Sequence, residues 1–375
     1  MIYDVVVIGA SSSGLYAAEI LAKNGQRVVL FDREESFTPA ARTYIITPGL
    51  LRVMPEVEPE LISHTINTIE VQAGEERAEI QLFSPDLIID REQLITILKT
   101  RAENAGVEIH LGSEFVGLKS ITEGTGILIQ SRGEERLIKA NYLIGADGVS
   151  STVAKAVGLP EHQVVPLLQA EITLPDEWDP GVTKVWFEVK DTPYFYWLIP
   201  ESGTSGVVGL IAEPGADIRT LLDRFLNKNN FQPLAYQAGQ AALHIPGSNL
   251  EKRIGDLTTL LVGDTAGQVK VTTVGGTVTG LSGARAAAKT ILNGVPNRKA
   301  RGEVQRELDI HYFIRHLLEK MDQTDYIRLI QSITPAVKSF LNKYDRDAMR
   351  RQFWKLPLIQ PRFIPLGLKL LLRRK

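Results

Sequence analysis

Val5-Val6-Val7-Ile8-Gly9-Ala10-Ser11-Ser12-Ser13-Gly14 decides the fold. A four-residue apolar run stops at glycine, and a helical pattern through Leu15, Ala18, Ile20 and Leu21 follows it. The stretch is therefore a strand, a turn and a helix. Gly9 is placed to make the tight turn, and Gly14 to let helix and sheet pack closely. The helix N-terminus offers free amides to a pyrophosphate. Ser11 stands where the dinucleotide fingerprint has its second glycine, and its hydroxyl can itself bond a phosphate oxygen. A second strand, Arg27-Val28-Val29-Leu30-Phe31, ends in Asp32, 23 residues after Gly9. A carboxylate there is placed to accept the ribose hydroxyls of an adenosine half. Read alone, the stretch fits equally an ordinary βαβ turn with Asp32 as a solvated strand end.

Two later runs end the same way, Tyr142-Leu143-Ile144-Gly145 and Leu260-Leu261-Val262-Gly263. Both lead to an aspartate, in Gly145-Ala146-Asp147-Gly148 and in Gly263-Asp264. An apolar β run that stops at glycine presents bare backbone at the carboxyl edge of a parallel sheet, where α/β folds bind nucleotides. Three such edges in this order point to a flavin site. Each aspartate has a plainer reading: Asp147 as a turn former, Asp264 as a helix cap.

Gly145-Ala146-Asp147-Gly148-Val149-Ser150-Ser151 resembles the "GADG..S" segment of the p-hydroxybenzoate hydroxylase superfamily of FAD enzymes. Gly263-Asp264-Thr265-Ala266-Gly267, followed by Gly275-Gly276 and Ser282-Gly283, resembles that superfamily's "GD" segment and flavin-contacting helix. The resemblance implies FAD as cofactor and puts the ribityl-binding role on Asp264. It also aims the positive end of a helix starting near Gly276 at the flavin edge that is negative when reduced. Asp90-Arg91-Glu92-Gln93-Leu94 resembles the "DR..L" segment, which gives Arg91 a cofactor role; its alternative is an exposed arginine in a first helical turn. The expected cofactor-binding set is Gly9, Ser11, Ser13, Gly14, Asp32, Arg33, Arg91, Asp147, Gly263, Asp264, Gly275 and Gly276. Two departures stand out: Ala154 and Lys155 occupy the place of the usual arginine after "GADG..S", and the GD segment lacks its usual proline.

Composition fits a soluble enzyme, since 44% hydrophobic and 23% charged residues in a 375-residue chain are ordinary globular usage. A formal net charge of -2 gives no general attraction to nucleic acid, and no nucleic-acid partner is expected. The absence of cysteine excludes disulfides, thiol redox centres and Cys-ligated metals. His64, His110, His162, His244, His311 and His316 show no metal-ligand spacing, so no metal is expected. The first strand starts almost at Met1 and no apolar stretch is long enough to span a bilayer, so the expected location is cytoplasmic.

The expected fold class is α/β: a Rossmann-like FAD-binding domain with an inserted antiparallel β-sheet substrate domain and a C-terminal helical region. The FAD-binding domain is discontinuous, over residues 1–45, 85–160 and 255–297; the substrate domain takes 46–84 and 161–254, and the helical region 298–375. Thr65 to Val71 and Ala78 to Phe83 alternate with period two around a glycine-containing turn, hence a hairpin. Thr183 to Val189, Tyr194 to Ile199 and Gly206 to Ala212 read as further antiparallel strands.

The reaction must come from that antiparallel sheet, because many chemistries share the flavin site. Pro193-Tyr194-Phe195-Tyr196-Trp197-Leu198-Ile199-Pro200 crowds aromatics that can wall a slot for an apolar substrate, with one face of the strand core and the other substrate wall. The segment resembles the geranylgeranyl reductase family's "P..Y.W.FP" motif and equally the "W.W.IP" motif of flavin-dependent halogenases. A halogenase needs a lysine amine early in its substrate region, and no lysine occurs between Lys23 and Lys99. The reductase family's "CGG" element is also missing, since Arg42-Thr43-Tyr44 precedes Ile46-Thr47-Pro48.

The resemblance to geranylgeranyl reductases implies an FAD-dependent oxidoreductase that reduces carbon-carbon double bonds of an isoprenoid chain by hydride transfer from reduced flavin. Tyr194, Phe195, Tyr196 and Trp197 are the expected substrate-binding residues, and Tyr194, Tyr196 and Tyr44 the candidate acids. No second dinucleotide fingerprint is present, so the reductant, NAD(P)H or ferredoxin, docks transiently. The alternatives are an FAD-dependent monooxygenase of a hydrophobic small molecule and a flavin-binding, membrane-associated protein without turnover. From Gln352 to Lys375 the chain has six basic residues, no acidic one and many large apolar ones. That tail reads either as a peripheral membrane contact or as a segment packed on its own domain.

Overall fold

The computed structural model describes residues 2–37, 43–122, 124–294, 298–343 and 346–373. Arg42 and the tail residues Arg374 and Lys375 lie outside them. The chain forms two compact units. The first comprises Met1–Ala40, Arg91–Gln163 and Ala242–Asp309, and the second Ala41–Asp90, Val164–Ala241 and Ile310–Lys375.

The first unit begins with β1 (Ile2–Ile8), α1 (Ser12–Lys23) and β2 (Val28–Phe31). Continuous runs such as Val5-Val6-Val7 are buried on both faces, as parallel strands under helices must be. The unit continues with α3 (Arg91–Asn104), β6 (Glu108–His110), β7 (Ser113–Ile121), β8 (Gly124–Ser131), β9 (Glu134–Gly145) and α4 (Thr152–Val157). It closes with β15 (Glu251–Ile254), β16 (Leu257–Leu261), α6 (Thr277–Leu292) and the start of α7 (Arg298–Leu318). Its sheet has the order β15-β16-β9-β1-β2-β6, with β7 and β8 added beside β9. β16, β9, β1, β2 and β6 run parallel, with Leu261 paired to Gly145 and Gly145 to Ile8. The three glycine-terminated edges are thus neighbours in one sheet.

The second unit holds β3 (Thr43–Ile46), α2 (Gly49–Val53), β4 (Ile62–Ala73) and β5 (Glu76–Asp90). It continues with β10 (Val164–Thr173), β11 (Val182–Trp186), β12 (Tyr196–Pro200), β13 (Ser205–Ile211), α5 (Ile218–Lys228) and β14 (Pro233–Ala242). Its sheet runs β14-β10-β13-β12-β11-β4-β5-β3, antiparallel in its described pairs except for β11 beside β4. The β4–β5 hairpin pairs Val71 with Ala78, as the alternation requires. The amphipathic helix α5 buries Leu222, Phe225 and Leu226 against one face of this sheet, on Leu168, Ala170, Tyr196, Leu198, Val208 and Leu210.

The C-terminal helical region packs within the second unit. α8 (Gln323–Gln331), α9 (Pro335–Lys343), α10 (Leu356–Ile359) and α11 (Phe363–Leu372) belong to the second unit. Met321, Tyr326, Ile330 and Leu370 share a core with Ala73 and Ala78 of the hairpin. The helical periodicity is local, but the apolar stripe it creates needs a sheet to cover, and the hairpin supplies one.

Candidate active site

In the first unit the turn after β1 is closed by backbone. Gly9 has φ +106°, and a Cβ on it would stand 2.3 Å from the Ala146 carbonyl oxygen. A Cβ on Gly14 would stand 2.1 Å from the Gly9 carbonyl oxygen. Only glycine permits this approach of helix and strand. Ser11 caps α1, its Oγ accepting from the Gly14 amide at 3.2 Å. Among the first amides of α1, those of Ser12 and Ser13 remain to meet an anion, because a helix cannot satisfy its own first turn. The Ser13 side chain is buried and packs beside Gly263 and Gly280, so it joins α1 to the later elements rather than pointing out. Asp32, at the end of β2, accepts from the Ala10 amide at 2.5 Å through Oδ2 and from the Glu34 amide at 2.9 Å through Oδ1. Its carboxylate therefore holds the glycine turn. Arg33 is exposed and lies near Glu34, and Arg91, half-buried, is the first residue of α3.

The second and third edges are tied together by Thr265, which sequence reasoning passed over. Its Oγ1 accepts from the Gly148 amide at 2.8 Å and lies 3.3 Å from Asp147 Oδ1. Asp147 also accepts from Ser151 Oγ, the Thr152 amide and hydroxyl, and the Val153 amide. Those donors saturate a carboxylate. Asp147 thus locks the turn before α4, whose N-cap is Ser151.

Gly263 opens a single helical turn through Ala266, and its amide donates to Gln268 Oε1 at 2.7 Å. The Gln268 carbonyl accepts from Thr279 Oγ1. Asp264 Oδ1 lies 3.3 Å from where a Cβ on Gly276 would sit, so Gly276 brings this carboxylate to the start of α6. Gly276 is the N-cap of α6 and provides no side-chain bond, which leaves the first amides of a 16-residue helix open beside Asp264. Gly275 closes a tight turn, its carbonyl accepting from the Lys270 amide, and Val274 within that turn has φ +53°. His162 is a further group that no sequence signal marks. Its ring lies against Gly267, Nδ1 pairs with the Leu243 carbonyl at 3.1 Å, and Nε2 is buried without a partner. Burial holds this imidazole below the usual range, hence neutral.

These residues fit FAD. The glycine cradle and open amides of α1 suit a pyrophosphate, Asp32 a ribose, and Asp264 with the uncapped start of α6 the ribityl chain and ring edge. Among the described residues no cluster of ligands for a metal ion occurs.

In the second unit, alternation divides the aromatic strand. Tyr196 is fully buried on the face covered by α5, stacked on Phe225 at 4.0 Å, with its hydroxyl donating to Asp191 at 3.0 Å. Burial and the Asp191 charge push this phenol above its usual range. Its expected roles as substrate contact and acid are corrected: it is a core residue. Tyr194 precedes β12, is buried beneath the Arg315 guanidinium at 4.1 Å, and is likewise pushed up by burial. Tyr44 is half-buried in β3 opposite Ile89.

Phe195 and Trp197 occupy the opposite face, their rings 6.0 Å apart and edge-on, with Phe187 packed on Phe195. Trp197 Nε1 is buried without a hydrogen-bond partner. Across the sheet Trp197 pairs with Gly209, and Gly209 with Gln169. Gln169 donates to Gln237, and Gln237 to Glu171. The alternation continues one residue past β12, where the Glu201 amide bonds the Ser205 carbonyl, so Glu201 shares the face of Trp197 and Ile199. Its carboxyl is pushed up to about 7, first by burial and then by the charges of Glu171 and Asp90. Period two from Trp197 would have found it.

A family model described as FAD binding domain matches residues 2–218, more than half of the chain. The fold and site define an FAD-dependent oxidoreductase, and FAD is its cofactor. The chain is 25% identical over 358 residues to digeranylgeranylglycerophospholipid reductase of Methanocaldococcus jannaschii, covering 88% of this chain and 90% of that protein. It is 29% identical over 297 residues to digeranylgeranylglycerophospholipid reductase 2 of Methanothermobacter thermautotrophicus, covering 74% of each. Its fold matches the crystal structure of a geranylgeranyl bacteriochlorophyll reductase-like protein from Thermoplasma acidophilum with a TM-score of 0.79 at 16% identity, over 98% of this chain and 99% of that one. The chain belongs to the FAD binding domain family, and over most of its length it is similar to digeranylgeranylglycerophospholipid reductases.

Proposed function

We propose that this enzyme reduces carbon-carbon double bonds of an isoprenoid lipid chain, with Glu201 as the proton donor. The observation that carries the reading is the apolar wall of Phe195, Trp197 and Ile199 on one face of the sheet, with the Glu201 amide continuing the ladder to Ser205 at its end and burial pushing the Glu201 carboxyl up to about 7. The names of the relatives support the isoprenoid class. Bound FAD, once reduced, supplies the hydride. An isolated alkene accepts hydride poorly unless it is also protonated, so the balance requires one acid. Glu201 gives its proton to one alkene carbon and recovers it from solvent, and Trp197 and Phe195 keep the chain apolar and water-free. NAD(P)H or a ferredoxin re-reduces the flavin in a transient encounter. A lipid substrate gives the enzyme a reason for peripheral membrane contact.

The test is anaerobic. The purified protein, reduced by light, is mixed with a panel of prenyl lipids, and flavin reoxidation is followed with product mass. Alkene-dependent reoxidation with a gain of two hydrogens is expected. Oxygen-dependent hydroxylation instead would make the enzyme a monooxygenase, and neither response would leave a flavin-binding protein without turnover.

A further inference from the structure

The C-terminal helix α11 is fastened by one face only. Leu370 is buried with Met321, Tyr326 and Ile330. Lys369 Nζ donates to Asp325 at 2.5 Å, and Arg373 donates to Asp325 and to Asp322, each at 3.0 Å. Asp325 is fully buried, and together with Asp322 forms the capping box of α8, so the latch is anchored in a helix N-terminus. Arg373 also donates to the Lys320 carbonyl at 2.8 Å.

The other face is bare. Ile364, Leu368, Leu371 and Leu372 follow the i, i+4, i+7, i+8 spacing of a single helical stripe, and all four are exposed, Leu372 to 83%. Just before them Trp354 and Leu358 are exposed to 59% and 81%. A stripe of this size left in water is unfavourable and marks a surface that is covered in use. The charges around it choose the cover. Arg351, Lys355 and Arg362 are exposed along the same stretch, and residues 351–373 contain no acidic side chain. A second copy would bring the same cations against them, whereas an anionic lipid surface complements them. Among the described residues no helix is long and apolar enough to cross a membrane, so the geometry is that of a helix lying in the interface.

We infer that the face bearing Trp354, Leu358, Ile364, Leu368, Leu371 and Leu372 docks on an anionic bilayer, held in its inserting orientation by the Lys369 and Arg373 latch on Asp325 and Asp322. The inference deepens the proposed lipid substrate, on which its purpose rests. Because the latch already occupies Lys369 and Arg373, insertion of the leucine stripe contributes more to binding than those two charges do.

Sedimentation with vesicles of equal parts phosphatidylcholine and phosphatidylglycerol tests it, using the full chain loaded with FAD. Leu368→Glu with Leu371→Glu changes only exposed positions and should weaken vesicle partitioning on the order of a hundredfold, with flavin content unchanged. The wild-type protein should stay substantially bound when salt is raised, as hydrophobic insertion requires. Failure of the full chain to sediment with these vesicles at low salt overturns the inference, as does equal sedimentation of the double variant. A vesicle-free dimer dispersed by the same double variant would assign the face to a second copy and also overturn it. Reduction of a detergent-dispersed prenyl alkene is read separately. Vesicle binding without alkene reduction leaves the docking face standing and removes the proposed reaction.

Discussion

Gly209 stands directly across the sheet from Trp197, and a Cβ on it would lie 2.4 Å from Trp197 Cζ2 and 2.7 Å from Gln169 Cβ. The indole is seated in the space that the missing side chain leaves. Gly209→Ala should therefore tilt the ring off the wall while the FAD cradle, all of whose residues lie in the first unit, stays intact. A displacement of about 1 Å at a reacting centre costs roughly a hundredfold in rate, so turnover should fall by about that factor at unchanged flavin content. Trp197→Ala should do the same by removing the wall. Normal turnover per folded molecule in either variant would make Trp197 a packing residue only.

Glu201→Gln keeps shape and removes the proton. If the carboxyl is the acid, alkene-dependent flavin reoxidation should slow by ~10²-fold or more, and the fall of wild-type activity as pH rises through about 7 should disappear. A stability effect goes with it. The folded protein raises this carboxyl from 4.5 to about 7, so it binds the proton more tightly than the unfolded chain. The contribution of Glu201 to stability is full below the ordinary carboxyl value and is lost as pH rises through the raised one. Urea midpoints should show wild type falling relative to the Gln variant across that window.

Asp32 has two tasks, holding the Ala10 amide and offering a carboxylate to the cofactor. Asp32→Ala should weaken FAD binding by on the order of 10- to 100-fold, the loss of one charge-assisted hydrogen bond, as read by flavin fluorescence on titration. Unchanged affinity would show that the strand-end carboxylate serves the turn alone.

Val274 carries a β-branched side chain at φ +53°, a backbone region that such residues rarely occupy. The strain amounts to about 1–3 kcal/mol and exceeds the roughly 0.5–1 kcal/mol entropic penalty of introducing glycine. Val274→Gly should raise the thermal midpoint, by about 1 kcal/mol of stability. A lowered midpoint would mean that the valine side chain contributes more by packing than its backbone costs.

The sequence by itself determined the first unit's nucleotide-binding edge. Strand periodicity, the turn glycines and the helix start are local, so Val5 to Gly14 specify their own geometry, and the runs ending at Gly145 and Gly263 repeat the pattern. Tertiary structure decided what lies far apart in the chain. Only folding puts Phe225 on Tyr196 and makes that tyrosine core, and only folding brings Thr265 to Asp147 across 118 positions and saturates its carboxylate. The same holds for the raised carboxyl of Glu201, which depends first on burial and then on Glu171 and Asp90 as neighbours, and for Lys369 and Arg373, whose charges pair with Asp325 and Asp322. A residue's conformational preference is set by its near neighbours along the chain, but a charge or a donor acquires its role from whatever packs against it, and that is settled only when the sheets and helices close.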